Sequence, residues 1–241
     1  MAARLESTAV RQAVAGLRAV GRPGRVRVMM TVIRTAPLAV AQLAAALVLS
    51  ACATVPPSTP QDGFWAALSS HCGKAYAGRM VSDEAADAEM RGAAMVMHVR
   101  RCAAERIEVP FHIQRADGSW DRSRTWVFTR TAAPGLRLKH DHRHADGGAE
   151  AVTLYGGDTV TPGTARAQEF PVDEESKALF RVEGRTVSQT NLWRVDVDPA
   201  GAAGAAFAYR LTRRPPDSRA FHVEFDLTRP VMPPPAPWGH D

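Results

Sequence analysis

Residues 106–131 read RIEVPFHIQRADGSWDRSRTWVFTRT, and this stretch decides the fold. Ile107, Val109, Phe111 and Ile113 recur at every second position, with Glu108, His112 and Gln114 alternating against them. That period of two marks a β-strand, because successive side chains on a strand point to opposite faces. Asp117-Gly118 follows as a tight-turn pair, and 122–131 returns as a partner strand rich in Thr, Val, Trp and Phe. Pro110 cannot donate to a strand ladder, so the first strand is expected at a sheet edge or beside a bulge.

The hairpin pattern repeats outward from there. Residues 94–101 (AMVMHVRR) form an apolar, β-prone run before it. Pro134-Gly135 signals the next turn, 136–144 (LRLKHDHRH) the next strand, and Asp146-Gly147-Gly148 a further turn against which 150–155 (EAVTLY) pairs back. Strands are also expected at 186–197, 205–212 and 220–228, and Gly156-Gly157 reads as a bulge or turn. Helix is scarce. Residues 63–71 (GFWAALSSH) make one short turn with Phe64, Trp65 and Leu68 on one side, and Asp173 caps a short helix in DEESKALF. The tail 230–238 (PVMPPPAPW) is extended, since its prolines fix φ and remove donors. About nine short strands joined by hairpins imply an all-β, antiparallel meander. A barrel and a sandwich both satisfy this count; the short connections favour an up-and-down barrel. A Trp-bearing opening turn before a meander looks like the calycin and lipocalin group of barrels.

The N-terminal region sets location. Residues 38–51 (LAVAQLAAALVLSA) are apolar and uncharged, too short for a spanning helix of about 20 residues, and Arg34 stands just ahead of them. This is the layout of a secretory signal. Leu49-Ser50-Ala51-Cys52 resembles the lipobox of bacterial lipoproteins, which implies that Cys52 is lipidated and becomes the N-terminus. We therefore divide the chain into 1–28, a start-site extension; 29–51, the lipoprotein signal peptide; 52–62, a Pro-rich tether (CATVPPSTPQD); and 63–241, a single β domain. Ala53-Thr54 follow the cysteine without the Asp that signals inner-membrane retention in lipoproteins of this kind, which points to the outer membrane, facing the periplasm.

Charge and cysteines agree with that location. The chain carries 30 basic and 25 acidic residues, but 1–51 hold seven Arg and one Glu. The remaining 190 residues thus have 23 basic against 24 acidic groups, which leaves no basic face for nucleic acid. With Cys52 used by the lipid, Cys72 and Cys102 remain, and in an oxidising compartment they are expected to pair. Neither lies in a C-x-x-C pair, so thiol redox chemistry is not indicated.

The strings FWAALSSHCGKAYAG (64–78), RSRTW (122–126), LRLKHDHRH (136–144), TLYGGDT (153–159) and PPPAPWG (233–239) resemble a group of bacterial envelope lipoproteins and secreted proteins with no assigned activity. The resemblance spans nearly all of the mature chain. It implies envelope residence and brings no mechanism.

Chemistry concentrates in LRLKHDHRHADGG, 136–148. On a strand, Leu136, Leu138, His140, His142 and His144 share one face, and Arg137, Lys139, Asp141 and Arg143 the solvent face. The candidate ligand or metal site is therefore His140, His142, His144 and Asp146. Imidazoles at i and i+2 can converge on one zinc, while a third at i+4 stretches, so a sound site needs another ligand. His98, His112, His222, Glu224 and Asp226 are the candidates for it. The H-x-H-x-D of 142–146 fails the metallo-β-lactamase box at Gly147, and that fold needs helices this chain lacks. Ser123 has no nucleophile elbow around it, Lys74 and Tyr76 read as ordinary strand residues, and Arg122, Arg124, Arg137 and Arg143 offer an anion patch if register allows. Three functions follow. The first is a lipid-anchored binding module for a small or amphipathic ligand at a barrel mouth, without a cofactor. The second is a zinc-dependent hydrolase built on His140, His142 and His144. The third is a structural envelope lipoprotein.

Overall fold

A computed structural model describes residues 58–132 and 135–240. The expected start-site extension 1–28, the expected signal 29–51, Cys52 with the expected tether to residue 57, and Pro134 of the expected turn lie outside the described residues.

The chain folds as an all-β antiparallel meander. In order it forms helix α1 (Pro60–Ser69), β1 (Ala75–Met80), β2 (Met95–His98), β3 (Arg101–Cys102), β4 (Arg106–Gln114), β5 (Trp120–Arg130), β6 (Leu136–His142), β7 (Tyr155–Asp158), β8 (Ala167–Pro171), α2 (Glu174–Val182), β9 (Leu192–Val197), β10 (Ala206–Arg213) and β11 (Arg219–Val231). Each long strand pairs with its neighbours in sequence, and β1 pairs with β11, so first and last strands join. The result is a nearly closed barrel with one seam, between β7 and β8. There the backbones touch through a single bond from Asp173 N to Gly156 O, 3.0 Å.

That seam corrects the reading of Gly156-Gly157. The pair is the centre of β7, laid on Leu138 and Lys139 of β6. A Cβ on Gly156 would overlap the Leu138 carbonyl, and one on Gly157 the Pro171 carbonyl of β8. Glycine is required because backbone approaches from both sides. Residues 150–154, expected as strand, form the loop before β7. Residues 186–190 form a 3₁₀ turn where strand was expected, and β9 starts at Leu192. Strands β1 and β8 carry no alternation strong enough to stand out in the sequence.

Pro110 sits in a central strand. β2 pairs with Phe111–Ile113 and β3 with Ile107 and Glu108, so Val109 and Pro110 face the break between β2 and β3 where no donor is called for. The expected bulge follows at once, between Phe111 and Ile113. Helix α1 begins earlier than expected and takes up the last tether residues. Thr59 and Asp62 exchange a capping box, and Pro60 stands at the first helical position, where its missing N–H is harmless.

α1 packs across the barrel end where β5, β7 and β9 finish. Phe64 and Leu68 are fully buried, Phe64 lies 6.1 Å from Phe128, and Arg130 binds Asp62 at 2.7 Å while covering the Trp65 ring. His71, just past the helix, donates from Nε2 to the Asp198 carbonyl and accepts from Tyr76. Cys72 and Cys102 form the expected disulfide, with Cα atoms 6.2 Å apart. At the opposite end, where β6 and β10 finish, α2 and the 3₁₀ turns Ala85–Met90 and Thr186–Thr190 stand beside the opening.

Candidate functional site

Strand β6 delivers the histidines in part. Leu136 and Leu138 are fully buried inside the barrel, followed by His140 at 3% exposure. The strand ends at His142. His144 is exposed, and its N–H bonds the Gly148 carbonyl in the turn. Asp146 is exposed too and accepts from Gly148 N at 2.8 Å. The Asp146-Gly147-Gly148 turn thus pulls the last two candidate residues away from the inner face. Among the described residues no group of three or more His, Cys, Asp or Glu side chains is placed to hold a metal. His140, His142, His144 and Asp146 therefore do not form one ligand set. His112 is buried with its Nδ1 unpartnered, and His222 and Glu224 pair with each other on the barrel wall.

The expected solvent face of β6 is also revised. Asp141 is 4% exposed, bound by Arg143 Nε at 3.0 Å and by His240 Nε2 at 2.9 Å from the C-terminal tail. The four arginines of the proposed anion patch are committed separately. Arg122 donates to the Ala236 carbonyl, Arg124 binds Asp121, Arg137 binds Asp158 and Arg143 binds Asp141. Lys74 is exposed, and Ser123 is buried with its hydroxyl beside Arg124.

What gathers around His140 and His142 is aromatic. His140 stacks on Tyr155 at 4.8 Å and lies 5.0 Å from Trp193. Its Nδ1 meets the Tyr155 carbonyl at 3.0 Å, and a carbonyl only accepts, so Nδ1 carries the proton. Nε2 then accepts from the Tyr209 hydroxyl at 2.8 Å. The Tyr155 hydroxyl shares a hydrogen bond with His142 Nε2 at 3.2 Å. The chain has three tyrosines, and with Tyr76 on His71 every one of them is bonded to a histidine. Burial pushes His140 down to about 3. Burial, helped by the Arg124 charge, pushes His142 down to about 4. Burial likewise raises Tyr155 to about 12 and Tyr209 well above its ordinary range. Both imidazoles are neutral at physiological pH, and both phenols keep their protons.

Two adjoining clefts open at this end. The first, about 200 Å³, is walled by Phe111, Trp126, His140, Tyr209 and Phe221, with Arg124 and Arg219 at its rim. The second, about 290 Å³, is lined by Phe180, Trp193, Asn191, Ser188, Arg185 and Arg213. His142, Tyr155, Tyr209 and Leu211 line both, so the clefts meet along β6, β7 and β10. Trp126 stacks on Phe111 at 4.9 Å and on Tyr209 at 4.6 Å, which makes a rigid floor. Two larger grooves, one along β1 and β11 and one beside the opening between Glu84–Ala86, Val187 and Arg213–Arg219, have linings that are mostly small or charged.

Tyr155, Tyr209, Trp126 and Arg213 were not singled out from sequence. A signal for Tyr209 exists: Phe207, Tyr209, Leu211 and Arg213 alternate on one face of β10, apolar first and then charged, as 136–142 does on β6. No protein-family model, curated protein or solved structure matches the chain.

Proposed function

We propose that this chain is a lipid-anchored binding module that holds a small or amphipathic ligand at the open end of its barrel. The supporting observation is the pair of joined clefts, built on a stacked aromatic floor and edged by polar groups, of which His140 and Tyr209 are already hydrogen-bonded to each other. Small-molecule sites are typically concave and mostly apolar, with a few placed polar groups, and barrel mouths are a common location for them. The chemistry fits binding better than turnover. His140 is neutral, buried and saturated on both nitrogens, so it has no free site to take a proton. In this reading Cys52 carries the lipid after removal of 29–51, the tether holds the barrel at the outer membrane, and the mouth faces the periplasm.

Two measurements test the reading. Intact mass of the protein from a bacterial envelope, beside Cys52→Ser, is expected to show acylation lost in the variant. Denaturing the native protein and analysing the extract is expected to release a small molecule in stoichiometric amount. That molecule is expected to be absent from Leu211→Trp, which fills the junction of the clefts. A folded native protein with an empty extract, and no binder among amphipathic compounds, would overturn the binding reading.

A further inference from the structure

The arginines around the mouth are not equivalent. Arg124 and Arg219 rim the aromatic cleft, and both are neutralised: Arg124 by Asp121 at 2.6 Å, Arg219 by Asp87 at 2.5 Å and by Glu84. Arg213 lines the second cleft and has no carboxylate within ion-pair distance among the described residues. Its Nε donates to Asn191 Oδ1 at 2.6 Å and one Nη2 hydrogen to Ser188 Oγ at 3.1 Å. Both partners are neutral and buried. They fix the plane of the guanidinium and leave three of its five N–H groups free to meet a ligand. Arg185 lines the same cleft. Glu150, the acid in that lining, has Oε2 3.8 Å from His142 Nδ1. Burial and the neighbouring Arg219 charge press the Arg213 pKa down, and Asp217 and Glu84 offset this only in part, so an incoming anion would relieve an unfavourable charge there.

Size restricts the rest of the ligand. A cleft of about 200 Å³ is below the 300–1,000 Å³ typical of drug-sized sites, and an apolar cavity of about 150 Å³ accepts benzene. The aromatic cleft therefore has room for one ring. Leu211 stands between it and Arg213, and residues two apart on a strand are separated by about 7 Å. Ring and charge must then be joined by a short spacer.

We propose that the mouth binds a ring-bearing monocarboxylate, with the ring on the Trp126–Tyr209 floor and the carboxylate in a bidentate contact with Arg213. This rests on the binding-module reading above and adds the ligand class. Planar carboxylate–guanidinium pairing supplies orientation as well as charge. The neutral His142 and Tyr155, which the two clefts share, form the passage between ring and acid.

The test is isothermal titration of the purified protein with 3-phenylpropanoate and with its neutral isostere 3-phenylpropanamide. The acid is expected to bind at least tenfold more tightly than the amide at low salt. That preference should fall as NaCl is raised, because the pair is partly exposed, while amide binding stays constant. Arg213→Gln is expected to abolish the preference, Arg213→Lys to keep part of it, and Leu211→Trp to remove binding of both. If Arg213→Gln does not fold, the salt dependence of the acid-to-amide ratio in the unaltered protein decides alone. Equal binding of acid and amide, or a preference that survives Arg213→Gln, overturns the carboxylate assignment and leaves the site standing. Failure of both compounds overturns the ligand class. The extract of the native protein then judges the binding reading separately, since a bound neutral molecule would keep that reading and refute this one.

Discussion

Acid should weaken this barrel well above the range in which carboxylates titrate. Burial holds His112 at about 4, His140 at about 3 and His142 at about 4 in the folded chain, against about 6.5 when unfolded. The unfolded state therefore binds more protons than the folded one between those values. Stability is full above the unfolded pKa and is lost as pH falls toward the folded one. Between pH 7 and pH 5 each of the three groups removes a little under about 2 kcal/mol, about 5–6 kcal/mol together. Burial also lowers His71, His98 and His222, which act in the same direction. The depressed carboxylates, such as Asp62 at about 2, do not contribute until pH falls below their unfolded range near 4. A loss of this size is a large share of the 5–15 kcal/mol of a typical domain. With a urea slope of about 2 kcal/mol/M, the midpoint should fall by about 2–3 M. Urea titrations at pH 7 and pH 5 read this directly, and NMR titration of the ring protons shows which imidazoles stay neutral. A midpoint unchanged between pH 7 and pH 5 would refute the reasoning, because the buried imidazoles would then accept protons without unfolding.

The remaining predictions concern single features. Cys72→Ser with Cys102→Ser opens a loop of sequence separation 30 and is expected to cost about 3 kcal/mol, measured by urea denaturation in the absence of reductant. Gly157→Ala places a methyl against the Pro171 carbonyl at the seam and should cost about 2–3 kcal/mol or more, with amide exchange accelerating first in β7 and β8. His112→Leu removes a buried nitrogen that has no partner. It should leave stability at pH 7 unchanged or raise it by about 1 kcal/mol, and should shrink the loss between pH 7 and pH 5 by about 2 kcal/mol.

The hairpins were legible where a strand buries one face and a turn residue ends it. β4 matches the alternating run 106–114 at both ends, and Gly118 adopts the positive φ that the Asp-Gly turn implies. Alternation misled where the second face is also covered. Glu108 and His112 alternate against the apolar set, yet they are 8% and 1% exposed. Asp141 behaves alike, since His240 returns from 99 residues away to cover it. Sequence spacing carries no information about such a distant cover. The seam glycines were misread for a related reason. A Gly-Gly pair announces close backbone approach, but not whether the approach belongs to a turn or to a neighbouring strand. The site was half legible: periodicity placed His140 and His142 on the inner face, while the tyrosines that engage them come from β7 and β10.

The histidine–tyrosine pairs separate fold from function. His71 and Tyr76 are 0% and 1% exposed at the end covered by α1, and that pair fastens α1 and the Asp198 loop to the barrel. His140 and Tyr209 use the same arrangement, an imidazole that donates to a backbone carbonyl and accepts from a phenol, at the floor of the clefts. The shared geometry argues that it was selected for satisfying buried polar groups, each costly if left unpaired. At the mouth it then has a second effect. It occupies both nitrogens of His140 and the Tyr209 hydroxyl, so that part of the wall behaves as apolar surface despite its composition. In the binding reading, discrimination then falls to the cationic groups with N–H to spare, and of those Arg213 is the one whose plane is fixed by neutral, buried partners.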